Sequence, residues 1–96
     1  MIGEQHAPQT IRVVYSGRVQ GVGFRATSAG IARRFPVVGY VRNQPDGTVE
    51  LVARGPSGAV QGFLDAIARR LQGQITNAAM AVIDFDEEFD SFEVRH

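Results

Sequence analysis

The chain has 96 residues, ten basic and ten acidic, for a formal net charge of zero. That length makes one domain with a single two-layer core, near the small end of independent stability, and the charge balance removes any general attraction for nucleic acid or an anionic membrane, so an anion site must be local. Cysteine is absent and the opening MIGEQHAPQT carries no apolar run, which excludes disulfides, thiolate catalysis and cysteine metal sites, argues against a signal peptide or membrane span, and leads us to expect a soluble, cytoplasmic protein.

Residues 1–9 mix Gly, Pro and polar groups without periodicity and are read as a flexible leader, with the domain occupying residues 10–96; His6 belongs to the leader and is assigned no role. From Thr10 to Ser16 the residues alternate, with Ile11, Val13 and Tyr15 on one face, which predicts the first strand. Phe24, Ser28, Ile31 and Phe35 follow helical spacing, and Pro36 ends that helix. Gly30 weakens it by about 1 kcal/mol relative to alanine, so either close packing on a sheet needs the glycine or the boundary lies elsewhere. Val37–Asn43 and Thr48–Arg54 read as strands joined by a Pro45-Asp46-Gly47 turn into a hairpin. Ser57 is the expected N-cap of a second helix whose apolar face carries Val60, Phe63, Leu64, Ile67 and Leu71, with Gly73 as its stop. Ala79–Phe85 reads as a fourth strand with Ala81, Ile83 and Phe85 on one side, and Ser91–Arg95 as a short extra strand. The acidic run Asp84, Asp86, Glu87, Glu88 and Asp90 is read as a solvated loop and edge protection rather than a cation site.

Packing alone does not explain the stretch GRVQGVGFR, Gly17 to Arg25. Its three glycines allow a loop to curl its amides inward, and the helix that follows offers partial positive charge at its N-terminus. Arg25 falls in the first helical turn, where a cation opposes the dipole unless an anion reverses the local field, and its planar fork suits phosphate oxygens. The bland alternative is a tight strand-to-helix corner. No Gly-Lys-Ser/Thr follows and the G-x-G-x-x-G spacing is missing, so the stretch is neither a Walker loop nor a dinucleotide fingerprint.

The order strand, helix, strand, strand, helix, strand predicts an α+β split βαβ sandwich, with an antiparallel sheet ordered 4-1-3-2 and both helices on one face. In that order strands 1 and 2 run in the same direction on either side of strand 3, so Asn43, ending strand 2, can approach Arg25.

Together, GRVQGVGFR and GYVRNQPDGTVELVARG resemble the two signatures of the acylphosphatases. Gly17, Val19, Gln20, Gly21, Val22, Phe24 and Arg25 match the first, with Gly23 at a variable position, and Gly39, Tyr40, Val41, Asn43, Gly47, Val49 and Gly55 match the second in type and spacing. The resemblance covers about residues 10–96. It implies a ferredoxin-like sandwich and hydrolysis of acyl phosphates to carboxylate and phosphate without metal or other cofactor. It carries the catalytic arginine onto Arg25, the water-positioning asparagine onto Asn43, and the phosphate-binding main chain onto Val19, Gln20, Gly21, Val22, Gly23 and Phe24. Gln44, where several animal members have threonine, and Asn77, where proline often precedes the fourth strand, depart from the pattern.

Acyl phosphates leave as acidic carboxylates, so little protein acid is needed, and with His6 in the leader and His96 terminal a nucleophilic triad has no parts. Asn43 has a structural alternative, capping the Gln44–Gly47 turn. At the level of function the alternatives are a carbamoyl-phosphate-binding cradle, a non-catalytic anion sensor, and an RNA platform, the last disfavoured by zero net charge and only two tyrosines. The expected partners are a small acyl phosphate and inorganic phosphate as product and inhibitor, with no nucleic acid or membrane, and the expected state is a monomer.

Overall fold

The computed structural model describes residues 8–96, which form β1 (Pro8–Gly17), α1 (Phe24–Ala32), β2 (Val38–Asn43), β3 (Val49–Pro56), α2 (Ser57–Arg70), β4 (Ile75–Val82) and β5 (Phe92–Arg95). Most of the expected leader, His6 included, lies outside the described residues; Pro8 and Gln9 already pair with Pro56 and Gly55, so β1 starts two residues before Thr10. The strands make one sheet ordered β4-β1-β3-β2-β5. The expected order 4-1-3-2 is present with β5 added outside β2. Because β5 runs parallel to β2, the sheet is mixed rather than antiparallel.

Register explains the core. Tyr15 lies opposite Val49, Val13 opposite Leu51, and Ile11 opposite Ala53, so one face of β1 and β3 is continuously apolar. Against it pack Phe24, Ile31 and Ala32 of α1 and Val60, Phe63, Leu64 and Ile67 of α2 in one cluster. This is the α+β ferredoxin-like sandwich.

Helix boundaries differ from expectation for local reasons. α1 ends at Ala32, and the chain then tightens into shorter bonds, Arg34 N–H to Ile31 O and Phe35 N–H to Ala32 O, before Pro36. A Cβ on Gly30 would meet nothing within 4 Å, so close packing does not explain that glycine. Ser57 is the first residue of α2 rather than its cap, which falls at Pro56, and Gly73 lies in the turn beyond Arg70.

The fourth strand is Ile75–Val82, not Ala79–Phe85. Its edge position leaves Met80 52% and Val82 69% exposed although they lie opposite core residues Val13 and Ile11, so no burial pattern marks its limits. Phe85 leaves the sheet altogether. It stacks on Phe89 at 5.8 Å, and both rings pack against Tyr40, at 6.2 and 6.0 Å. The acidic segment is therefore folded over the sheet face opposite the helices, not simply solvated. Arg54 fixes it there, donating to the carbonyls of Phe85 and Glu87, while Arg95 grips the Glu87 carboxylate with both terminal nitrogens.

Glu50 is the centre of that face, only 4% exposed. Burial pushes its carboxyl up, but hydrogen bonds from Arg12 and Arg42, each 2.6 Å, and from the Tyr40 hydroxyl, 3.1 Å, outweigh this and hold it below the usual carboxylate range. A depressed folded-state value stabilises the fold above the unfolded value of about 4.3 and loses that contribution as pH falls through the folded one. Glu50→Gln should therefore cost about 1–3 kcal/mol at neutral pH, toward the low end because both arginines are half-exposed. Chemical denaturation at pH 7 and pH 3 checks this: the gap between wild type and variant should shrink at the lower pH.

Candidate active site

The loop between β1 and α1 is held at three points. Arg18 N–H donates to Gln74 O at 2.8 Å, Val19 is 1% exposed within the core, and the Gln20 side chain donates to Gln44 O and Thr48 O, each at 2.8 Å. Between these anchors and the helix, Gly21 and Gly23 take φ of +74° and +79°. A Cβ at either would meet nothing within 4 Å, so glycine is required there by backbone conformation, the left-handed region costing other residues roughly 1–2 kcal/mol. Gly23 is the N-cap of α1 and brings no side-chain cap. Among the described residues, no amide from Val19 to Phe24 donates to a protein acceptor. These donors precede the positive end of α1, where an anion is favoured.

Arg25, in the first turn of α1, turns its guanidinium toward the end of β5. Nη1 donates to Arg95 O at 3.1 Å and lies 3.2 Å from His96 Nδ1. Asn43 closes the other side from the end of β2. The turn that follows it is satisfied without Asn43: Gln44 N–H donates to Thr48 O, Gly47 N–H to Gln44 O, and both the amide and hydroxyl of Thr48 to Asp46 Oδ1. Those Thr48 bonds hold the Asp46 carboxyl below its usual range. Asn43 Oδ1 is buried with no hydrogen-bond partner, so the amide is not a turn cap.

These residues surround a cavity of about 230 Å³ lined by Val19, Gly21, Gly23, Phe24, Arg25, Ala26, Asn43, Val94 and His96. Arg25 and Asn43 thus share one cleft with part of the predicted loop. Gln20 acts differently from the expectation: its side chain braces the hairpin, and only its main chain remains with the loop. Val22 is 41% exposed and does not line the cleft. Sequence reasoning missed His96. The signal would have been the pairing of β5 beside β2, since Arg42↔Arg95 carries the next residue to Asn43's side of the sheet.

Other features do not compete with this cleft. A larger groove of about 520 Å³ lies beside the start of β1 and the end of β4, but its cation, Arg54, is fully engaged by Thr10 and by the carbonyls of Phe85 and Glu87. Burial pushes the Tyr15 hydroxyl far above its ordinary value, so it stays protonated. Among the described residues no three His, Asp or Glu side chains converge as a metal site, and no helix is long and apolar enough to cross a membrane.

Residues 11–94 match the family model for acylphosphatase. An acylphosphatase of Salinibacter ruber is 42% identical over 79 residues, 81% of this chain and 80% of that protein. Another, of Rubrobacter xylanophilus, is 42% identical over 97% of this chain and 87% of its own length. The crystal structure of acylphosphatase from Bacillus subtilis superposes with a TM-score of 0.80 at 30% identity, covering 92% of this chain and 99% of that one.

The cleft's charge can be tested through stability. Arg25 opposes the α1 dipole at a cost of about 0.3–1 kcal/mol but gains the contacts at Arg95 and His96. These offset one another, so Arg25→Gln should melt within a few degrees of wild type in a buffer free of phosphate. A hundredfold excess of phosphate over Kd should stabilise wild type by about 2.7 kcal/mol, at roughly 4–8 °C per kcal/mol, and the variant should lose most of that rise. Thermal melts at matched ionic strength check this; equal rises would place the anion elsewhere.

Proposed function

The chain belongs to the acylphosphatase family and hydrolyses acyl phosphates to a carboxylate and inorganic phosphate, and from that premise we propose that Arg25 and the 19–24 main chain hold the phosphoryl group while Asn43 orients the attacking water. The phosphoryl oxygens sit against the unpaired loop amides and the free side of the Arg25 guanidinium. Water adds to phosphorus in line with the acyl oxygen, the bond between phosphorus and that oxygen breaks, and its electron pair leaves as carboxylate. A phosphate or departing carboxylate oxygen takes the proton. The leaving group is the conjugate base of a carboxylic acid, so no protein acid is called for, and catalysis reduces to positioning and charge stabilisation.

The observation that carries this reading is Asn43. A buried amide oxygen without a partner costs about 1–3 kcal/mol, and here the neighbouring turn supplies its own bonds through Asp46, Thr48 and Gln20. An acceptor left open beside a cationic cleft is suited to a water that donates one O–H to it and turns a lone pair to phosphorus. We extend the proposal to a monomer acting in the cytoplasm on a small molecule, with inorganic phosphate as product and inhibitor and neither nucleic acid nor membrane as partner; the zero net charge supports the last point.

Two measurements test the mechanism. Hydrolysis of an aromatic acyl phosphate should proceed at neutral pH in excess chelator; activity appearing only with added Mg²⁺ or Zn²⁺ would overturn the metal-independent reading. Asn43→Ala should lower kcat by about 10²-fold or more, the scale of a lost positioning group, while inhibition by inorganic phosphate stays within about twofold of wild type. Loss of phosphate inhibition in that variant would refute the separation of roles.

A further inference from the structure

We propose that the end of β5 is a positioning device for Arg25, in which the Arg95 carbonyl and the His96 imidazole occupy one side of the guanidinium and so aim its other side at the phosphoryl group. This inference rests on the proposed role of Arg25. A guanidinium carries five N–H donors in a rigid plane. The two on Nη1 are matched by two acceptors, Arg95 O at 3.1 Å and His96 Nδ1 at 3.2 Å. Among the described residues, Nε and Nη2 have no protein partner, and they form the fork that meets an anion in two parallel bonds. Holding Nη1 therefore sets the direction of the fork.

The contact also defines the histidine. Nη1 can only donate, so in this contact His96 Nδ1 stands on the acceptor side. The same imidazole lines the cleft with Gly21, Gly23 and Asn43.

The device is anchored from the opposite side of the sheet. The Arg95 side chain is clasped by both oxygens of Glu87 and lies 4.2 Å over the Tyr40 ring, while the backbone of β5 is paired with β2 through Gly39↔Phe92 to Arg42↔Arg95. The residue whose side chain is fixed in this way is thus the one whose carbonyl meets Arg25 Nη1. His96 is a positioning residue here, acting through Arg25.

Isothermal titration with inorganic phosphate reads the cradle without turnover, and can be paired with steady-state hydrolysis. His96→Leu keeps bulk but removes the acceptor; His96→Asn puts an amide oxygen where Nδ1 stood. The phosphate Kd of His96→Leu should rise about fivefold, the scale of one hydrogen bond, with KM rising by the same factor and kcat changing less, while His96→Asn stays within about twofold of wild type on both measures. No change in His96→Leu, or equal weakening in both variants, would overturn the proposal. A wild-type protein that binds phosphate but does not hydrolyse acyl phosphate would instead sink the mechanism above and leave the binding comparison to decide this one.

Discussion

Gln20 holds the two halves of the site together. Strand β3 lies between β1 and β2, so the loop leaving β1 and the asparagine ending β2 share no ladder and would be free to drift apart. The Gln20 amide spans the gap with two hydrogen bonds, to Gln44 O and Thr48 O, and joins the β1–α1 loop to the turn that follows Asn43. Val19, buried beneath, sets the depth of the loop, and Gly21 and Gly23 let it curl back into α1. A side chain that matches the family's first signature by type thus serves as a brace, and its value to chemistry is indirect.

Charge is distributed by the same logic. The chain is neutral overall, yet the proposed function of the cleft calls for an available cation. On the face of the sheet opposite the helices, Arg12 and Arg42 are bound to Glu50, Arg54 to backbone carbonyls, and Arg95 to Glu87. Arg25 is different because its protein contacts are a carbonyl and an imidazole nitrogen, which orient the guanidinium without neutralising it. On the proposed reading, a carboxylate in either place would compete with the phosphoryl group. The network on that face keeps Glu50 and Glu87 paired with arginines other than Arg25, and through Arg95 it also fixes the strand that touches Arg25.

The sequence was most legible where period and chemistry agreed. Ile11, Val13 and Tyr15 alternate because one face of β1 is buried, and Val60, Phe63, Leu64 and Ile67 repeat helically for the same reason, so the sandwich and its central strand order could be read directly. Two constellations at fixed spacing led to Arg25 and Asn43. It failed where residues answer to partners distant in the chain. β4 is an exposed edge with no burial pattern, and Phe85 mimics its alternation while packing on Tyr40 across the sheet. His96 looked like a chain end because nothing local indicates that β5 would run parallel to β2 and bring it to Arg25.

That misreading also bears on what kind of catalyst this fold makes. On the proposed mechanism an acyl phosphate needs neither a strong base nor a protein acid, which suits a site whose polar groups lack protein partners among the described residues: the amides of residues 19–24, Asn43 Oδ1, and the Nε and Nη2 side of Arg25. Each open donor or acceptor weakens the folded chain in isolation. They are tolerated together because the elements carrying them are held by contacts outside the cleft, the loop by Gln20 and Val19, β2 by six paired residues of β3, and β5 by Glu87. On that mechanism a histidine in such a site has no proton to transfer. Its ring nitrogen lies 3.2 Å from Arg25 Nη1, a place from which it bears on the direction of the guanidinium rather than on a proton in transit.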